Sequence, residues 1–232
     1  MKKYFIPLLL SSFLLGCSSS PTTSNTEIFN TMTGGQSAGD ATSFYWYTER
    51  LDLPYSASDY VASGDYGWYK SDYRWRKSVV REIVREGMQR QESYELVPYR
   101  IQLRFDNNGE AVYQQYRLDG KVLPLTTQQI QMFLNEAESI KTVTEQQDKN
   151  GSSLTQGYWN GKVFYSCDAE TFEKIEFNQT LPTFVINRLA SLDSYAAFVS
   201  ATSPGKLVVK NLLMLEDESF DCVERPVFIE DE

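Results

Sequence analysis

The sequence predicts an α+β fold: mainly antiparallel β-sheet, one long amphipathic helix over about 126–146, and a small OB-like barrel at the C-terminus. Three observations lead there. Aromatic and polar residues alternate through 43–51 and 67–75, the period-two pattern of strands with one buried face. Asn108-Gly109, Asp119-Gly120 and Asn160-Gly161 stand between apolar runs, and such pairs supply the positive φ of tight hairpin turns. Ile130, Phe133, Leu134, Ala137 and Ile140 recur at helical spacing, so the period changes after Pro124.

The first 16 residues read as a signal peptide: a cationic head (Lys2, Lys3), an apolar run over 4–15, and Gly16 before Cys17. The run is shorter than the roughly 20 residues that span a bilayer core. Leu14, Leu15, Gly16 and Cys17 resemble the lipobox of bacterial lipoproteins. That resemblance implies cleavage between Gly16 and Cys17 and acylation of Cys17 by two or three chains, palmitate among them. A single chain holds only marginally, at about 0.8 kcal/mol per buried methylene, whereas two or three make a lasting anchor. Aspartate after the lipidated cysteine favours inner-membrane retention in enterobacteria. Ser18 stands there, so resemblance to that rule implies the outer membrane, facing the periplasm. The polar stretch that follows, with Gly34, Gly35 and Gly39, makes 17–41 a lipidated cysteine with a flexible tether.

Two β-rich parts are expected beyond it, 42–147 with the helix and 148–232. In 67–75, Tyr69, Tyr73 and Trp75 share one parity, while Lys70, Asp72 and Arg74 share the other. The segment 78–91 fits a helical stripe and a strand; its β-branched Val79, Val80, Ile83 and Val84 between strand-like neighbours favour a strand. A hairpin turns at 107–109, and Asp119-Gly120 leads to a further strand. Thr126 with Gln129 has the form of a capping box opening the helix. After the break at 148–153 come a hairpin around Asn160-Gly161, a short helix near 182–192, and two strands joined at Pro204-Gly205. That order is compatible with a partly open OB-like barrel.

The formal net charge of -9 becomes -11 once Lys2 and Lys3 leave with the signal, the wrong sign for nucleic acid or an anionic lipid surface. Arg74, Arg76, Arg81 and Arg85 alternate with Asp72, Glu82 and Glu86, which reads as a solvated mixed-charge face. Histidine is absent, which removes Ser-His-Asp and Cys-His nucleophiles and most zinc sites. With Cys17 consumed by the anchor, Cys167 and Cys222 are expected to form a disulfide in an oxidising compartment, side by side in a sheet; two buried free thiols are the other reading.

No cofactor or metal is expected. Asp106, Asn108 and Glu110 lack the glycine and distant glutamate of an EF-hand loop and read as a hairpin turn; Glu216, Asp217, Glu218 and Asp221 read as a solubilising edge. Carboxylate chemistry needs two acids across a bond, and Glu49, Asp59, Asp65 and Asp72 lie on aromatic segments, where core packing is the plainer reading. Tyr45, Trp46, Tyr47, Trp68, Tyr69, Tyr73 and Trp75 are candidates for an aromatic binding patch for an envelope protein, glycan or cell-wall partner. Adjacent aromatics of opposite parity cannot all face one core, so some are exposed or the sheet is covered on both faces.

The lipobox at 14–17 and the run LRFDNNGEAVYQQYRLDGKVLPL (103–125) resemble an uncharacterised family of gammaproteobacterial lipoproteins. No activity and no residue role come with that resemblance. The expected function is a membrane-anchored, non-enzymatic binding or envelope-maintenance module; a carboxylate-dependent glycan hydrolase is the alternative.

Overall fold

The computed structural model describes residues 29–177 and 181–230. The expected signal peptide, lipobox and first part of the tether lie outside them. Eight strands form one antiparallel meander: β1 (Phe29–Ala38), β2 (Ala41–Arg50), β3 (Leu53–Ala62), β4 (Gly67–Arg76), β5 (Val79–Arg90), β6 (Leu96–Phe105), β7 (Ala111–Leu118) and β8 (Lys121–Leu123). The ambiguous segment 78–91 is thus a strand. Asn108-Gly109 turns β6 into β7, with Gly109 at φ 82°, and Asp119-Gly120 turns β7 into β8. Two turns carried no glycine signal: Leu51-Asp52 and Lys77-Ser78 hold all four residues at positive φ, between 51° and 62°. The pairing of long flanking strands imposes a conformation that these side chains disfavour.

Helix α1 (Thr127–Lys149) opens with the reciprocal capping box of Thr126 and Gln129 and buries Phe133, Ala137, Ile140 and Thr144. A second sheet follows, built from β9 (Ser153–Trp159), β10 (Phe164–Ser166), β11 (Thr171–Phe172), β12 (Lys174–Phe177), β13 (Ser194–Ser203) and β14 (Lys206–Asp217) in the order β11-β10-β9-β13-β14-β12. Helix α2 (Thr183–Ser191) precedes β13 and is tied by the Trp159 indole N–H, which donates to Leu189 O at 2.7 Å. β12 pairs with β14 in parallel, and β11 and β12 remain the edges.

Strand β2 explains the run of adjacent aromatics. Tyr45 and Tyr47 join Tyr73, Trp75, Ile83 and Leu103 in the core beneath α1. Phe44 and Trp46, of the other parity, pack against Tyr195, Val199 and Leu213 of the second sheet. The strand is covered on both faces, and each large side chain so buried contributes roughly 1.5–3 kcal/mol.

The tether expected over 17–41 is corrected from Phe29 onward, where β1 begins. Gly34 and Gly35 are strand residues of close approach. A Cβ on Gly35 would lie 2.6 Å from both Ser43 O and Leu213 Cδ1. Gln147 of α1 clamps the backbone here, accepting from Gly35 N at 3.0 Å and donating to Gly35 O at 2.8 Å.

Candidate functional site

A meander brings alternate turns to the same end of its sheet. The β2–β3, β4–β5 and β6–β7 connections meet there around an open cavity of about 840 Å³. Its lining carries six cations, Arg50, Arg74, Arg76, Lys77, Arg81 and Arg104, against two carboxylates, Glu82 and Glu230. Arg81 is positioned by neutral acceptors, Nε donating to Phe105 O at 2.8 Å and Nη1 to Asn107 Oδ1. Arg104 donates from Nε to Glu82 Oε1 at 3.0 Å, an oxygen that also accepts from Gln102 at 3.0 Å. Arg74 donates to Ile229 O at 3.0 Å and lies over the Tyr55 ring, 5.0 Å from its centre. Half-buried Tyr55 lies on the wall with the buried Trp75 and Phe105 behind it, and the Trp75 indole N–H has no acceptor among the described residues.

A second polar cluster lies beneath α1, where strand register places Asp59 opposite Ser71 and Ser71 opposite Arg85. The Arg85 guanidinium donates from Nε to Ser71 Oγ at 2.8 Å, and from Nη2 to Tyr73 Oη at 2.9 Å and Glu136 Oε2 at 2.6 Å. Tyr73 in turn donates to Asp59 Oδ2 at 3.1 Å, which stands 3.9 Å from Arg85 Nη2. The Tyr69 ring centre is 3.8 Å from the guanidinium carbon and that of Phe133 is 4.8 Å away. Burial pushes the Asp59 carboxyl above the usual carboxylate range, although Arg85 pulls the other way. Burial also works against the Arg85 cation, but Tyr73, Tyr69, Glu136 and Asp59 outweigh it and hold the guanidinium protonated. Burial raises the Tyr99 hydroxyl nearby to about 12.

The opposite face of the sheet holds the C-terminal segment without a strand ladder. Asp72 Oδ2 accepts from the backbone N–H of Phe228 and of Ile229, each at 2.9 Å. Burial pushes this carboxyl up as well, against the pull of those two N–H groups. Arg225 donates to Thr48 Oγ1 at 2.8 Å and Ser56 Oγ at 2.9 Å, and Ser58 Oγ donates to Pro226 O at 2.8 Å. Gln156 of the second sheet grips Val223 at both its N–H and C=O, each at 2.8 Å. A Cys167–Cys222 disulfide, Cα to Cα 6.1 Å, ties the same segment to the turn after β10. The two cysteines flank the sheet; neither lies within a strand, as the side-by-side strand expectation had it.

The aromatic candidates do not form a surface. Tyr45, Trp46, Tyr47, Tyr73 and Trp75 are buried, Tyr69 is half-buried against Arg85, and Trp68 alone of the seven is exposed, at 39 %. Exposed aromatics lie elsewhere, Tyr66 and Tyr94, each ring about 4.6–4.7 Å from the Arg90 guanidinium carbon.

Of the candidate acids, Asp65 is exposed on a short 3-10 turn, Glu49 accepts from Tyr47 Oη at 3.4 Å, and Asp59 and Asp72 are buried on opposite faces. No two of these four are brought into one cleft. Asp106 accepts from the N–H groups of Asn108 and Glu110 at 2.8 and 2.9 Å, the hydrogen bonding of a hairpin turn, which holds its carboxyl below the usual range. Among the described residues no three His, Cys, Asp or Glu side chains come together as metal ligands.

The solvated mixed-charge face also needs correction. Arg85 is 3 % exposed, and Asp72 is turned into the C-terminal segment, so alternation along the chain does not persist in space. Arg50 and Arg104, at the ends of β2 and β6, and Lys77, next to Arg76 in the β4–β5 turn, were missed by sequence reasoning and join Arg74, Arg76 and Arg81. Their signal was position beside turns at one end of a meander.

A family model described as "Protein of unknown function (DUF1481)" matches residues 33–227. No curated protein and no solved structure matches the chain.

Proposed function

The chain belongs to the DUF1481 family of proteins of unknown function, and from that premise we propose that it is a non-enzymatic binding module of the cell envelope, anchored through Cys17 to the outer membrane and facing the periplasm. The anchor rests on the sequence at 14–17 and on Ser18. The binding role rests on one observation: the open cavity at the turn end of the first sheet is lined by cations and aromatics, while the acids a hydrolase would use are committed elsewhere. Asp59 is held within the Arg85 cluster and Asp72 carries the C-terminal backbone. Of the two carboxylates in the cavity, Glu82 already accepts from Gln102 and Arg104. A volume of about 840 Å³ lies in the range of small-molecule sites, roughly 300–1,000 Å³.

The test is photo-crosslinking in intact cells, with a photoreactive residue placed at Lys77 on the cavity or at Tyr165 on the second sheet. An adduct formed from position 77 and absent from position 165 is the expected result. Equal adducts from both positions, or release of reducing ends from envelope glycans by the purified chain but not by Asp59→Asn, would overturn the reading.

A further inference from the structure

We infer that the β2–β3 end of the first sheet rests on the lipid surface that holds the anchor, with an exposed apolar tip in the interfacial layer; this deepens the anchored reading and rests on the acylation of Cys17. The first support is where the fold begins. Phe29 opens β1 and pairs with Arg50 at the close of β2, so the chain enters the domain at the end of the sheet that carries the β2–β3 turn. Twelve residue steps separate Cys17 from Phe29. A chain covers at most about 3.3–3.6 Å per residue, so an acylated Cys17 keeps this end within roughly 43 Å of its bilayer.

The second support is the surface at that end. Phe29 pairs with Arg50 and Arg50 with Leu53, which sets the three side chains in one row on one face. Phe29 is 43 % exposed, Leu53 53 %, and Leu51, in the turn between Arg50 and Leu53, 70 %. The half-buried Tyr55 ring meets Phe29 edge-on at 5.2 Å, and the Arg50 guanidinium carbon lies 5.6 Å from the Phe29 ring centre. Val112, also exposed, lines from β7 the same cavity as Arg50 and Leu53. Apolar side chains scattered singly are ordinary on a surface, whereas a contiguous group beside a lipid anchor suits insertion at the interface. Aromatic rings favour headgroup level, and an arginine stem runs along apolar surface while its charge stays in water.

Leu51 itself is the third. It holds φ 52° and Asp52 φ 59°, the left-handed backbone that asparagine and glycine fit far better than a branched apolar residue. Its side chain is exposed, so no burial offsets the strain. A strained, exposed apolar residue points to a use outside the fold. The charges at the tip oppose each other, Arg50 beside Asp52, in a chain of formal charge -9. Burial of apolar surface, rather than attraction to anionic headgroups, therefore drives the contact.

Photo-crosslinking of the full lipidated chain in phosphatidylcholine vesicles, recovered by flotation, tests this. A photoreactive aliphatic residue replaces Leu53 or, near the other end of the sheet, the equally exposed Val122 of β8. Lipid adducts from position 53 are expected to exceed those from position 122 at least fivefold, and to be unchanged when salt is raised from low to high. Leu51→Asn, added to the position-53 chain, is expected to cut the lipid adduct at least threefold at an equal or higher thermal midpoint, because asparagine suits the left-handed turn. Floated chain with equal adducts from both positions, or none from either, would overturn the docking and leave the anchor. A protein adduct in place of lipid from position 53 would overturn it too and assign the tip to a second copy. So would an adduct lost at high salt, an adduct untouched by Leu51→Asn, or a fall in thermal midpoint in that variant, which would make Leu51 a packing residue. Wild-type chain that fails to float would remove the anchor, and the docking with it.

Discussion

Asp59 and Asp72 sit on neighbouring strands yet face opposite sides of the first sheet, Asp59 in register with Ser71 beneath α1 and Asp72 in register with Ser58 beneath the C-terminal segment. Each carboxylate therefore has a separate structural task. Replacing Asp72 with Ala orphans the N–H groups of Phe228 and Ile229, and a buried unsatisfied group costs about 1–3 kcal/mol. Denaturant unfolding of Asp72→Ala is expected to show a loss of that order, with faster proteolysis within 220–230. Unchanged stability and protection would refute the role.

Arg85 is the hub of the other face. Its loss leaves Asp59 buried beside Tyr73 without its cation, and breaking one partner from a buried pair costs about 3–5 kcal/mol. Arg85→Met is expected to destabilise on that scale, and Arg85→Met/Asp59→Asn to recover part of it. If the double variant were no better than the single, Asp59 would not be the group that Arg85 neutralises.

The Cys167–Cys222 disulfide closes 55 residues, which in the chain-entropy model stabilises by about 4 kcal/mol. Reduction is expected to lower the thermal midpoint, and Cys167→Ala and Cys222→Ala to match each other and the reduced protein. Two alkylatable thiols in chain denatured without reductant would show that the bond is absent from the isolated protein.

Acidity acts on Asp59 and Asp72 with an unusual sign. Their folded pKa values lie above the unfolded value of 3.8, because burial penalises the charged form. A group raised in this way contributes stability that is complete below its unfolded pKa and is lost as pH rises through the folded one. Relative to Asp59→Asn, the wild-type chain is therefore expected to gain stability as pH falls from neutral toward about 4. Unfolding curves at both pH values measure the gap; a gap that is constant or moves the other way contradicts the cluster's electrostatics.

Local periodicity carried much of the fold. Alternation at 67–75, the Asn-Gly and Asp-Gly turns, and the capping box at Thr126 each report a local interaction, and each appears where expected. What failed depends on neighbours distant in sequence. Gly34 and Gly35 looked like tether because the cause of their small size, Gln147, Ser43 and Leu213, is invisible locally. The aromatics of β2 looked like a surface because two separate layers cover that strand, and the second lies more than a hundred residues away. Arg85 reads as one charge in an alternating run until register sets it across from Ser71 and α1 closes over it. The cavity stayed hidden because its cations come from β2, β4, β5 and β6, and only the meander brings those strand ends together.

Anchoring is the claim on which the envelope role depends, and Cys17 is where it can be decided. Wild-type chain and Cys17→Ser are to be compared by palmitate labelling and by sedimentation with outer membranes on a density gradient. Two or three acyl chains hold a protein at a bilayer in a lasting way, whereas an unacylated domain has no such term. The wild-type chain is expected to incorporate label and to sediment with outer membranes, and Cys17→Ser to do neither. Membrane sedimentation of Cys17→Ser equal to wild type, or an unlabelled wild-type chain, would contradict the account.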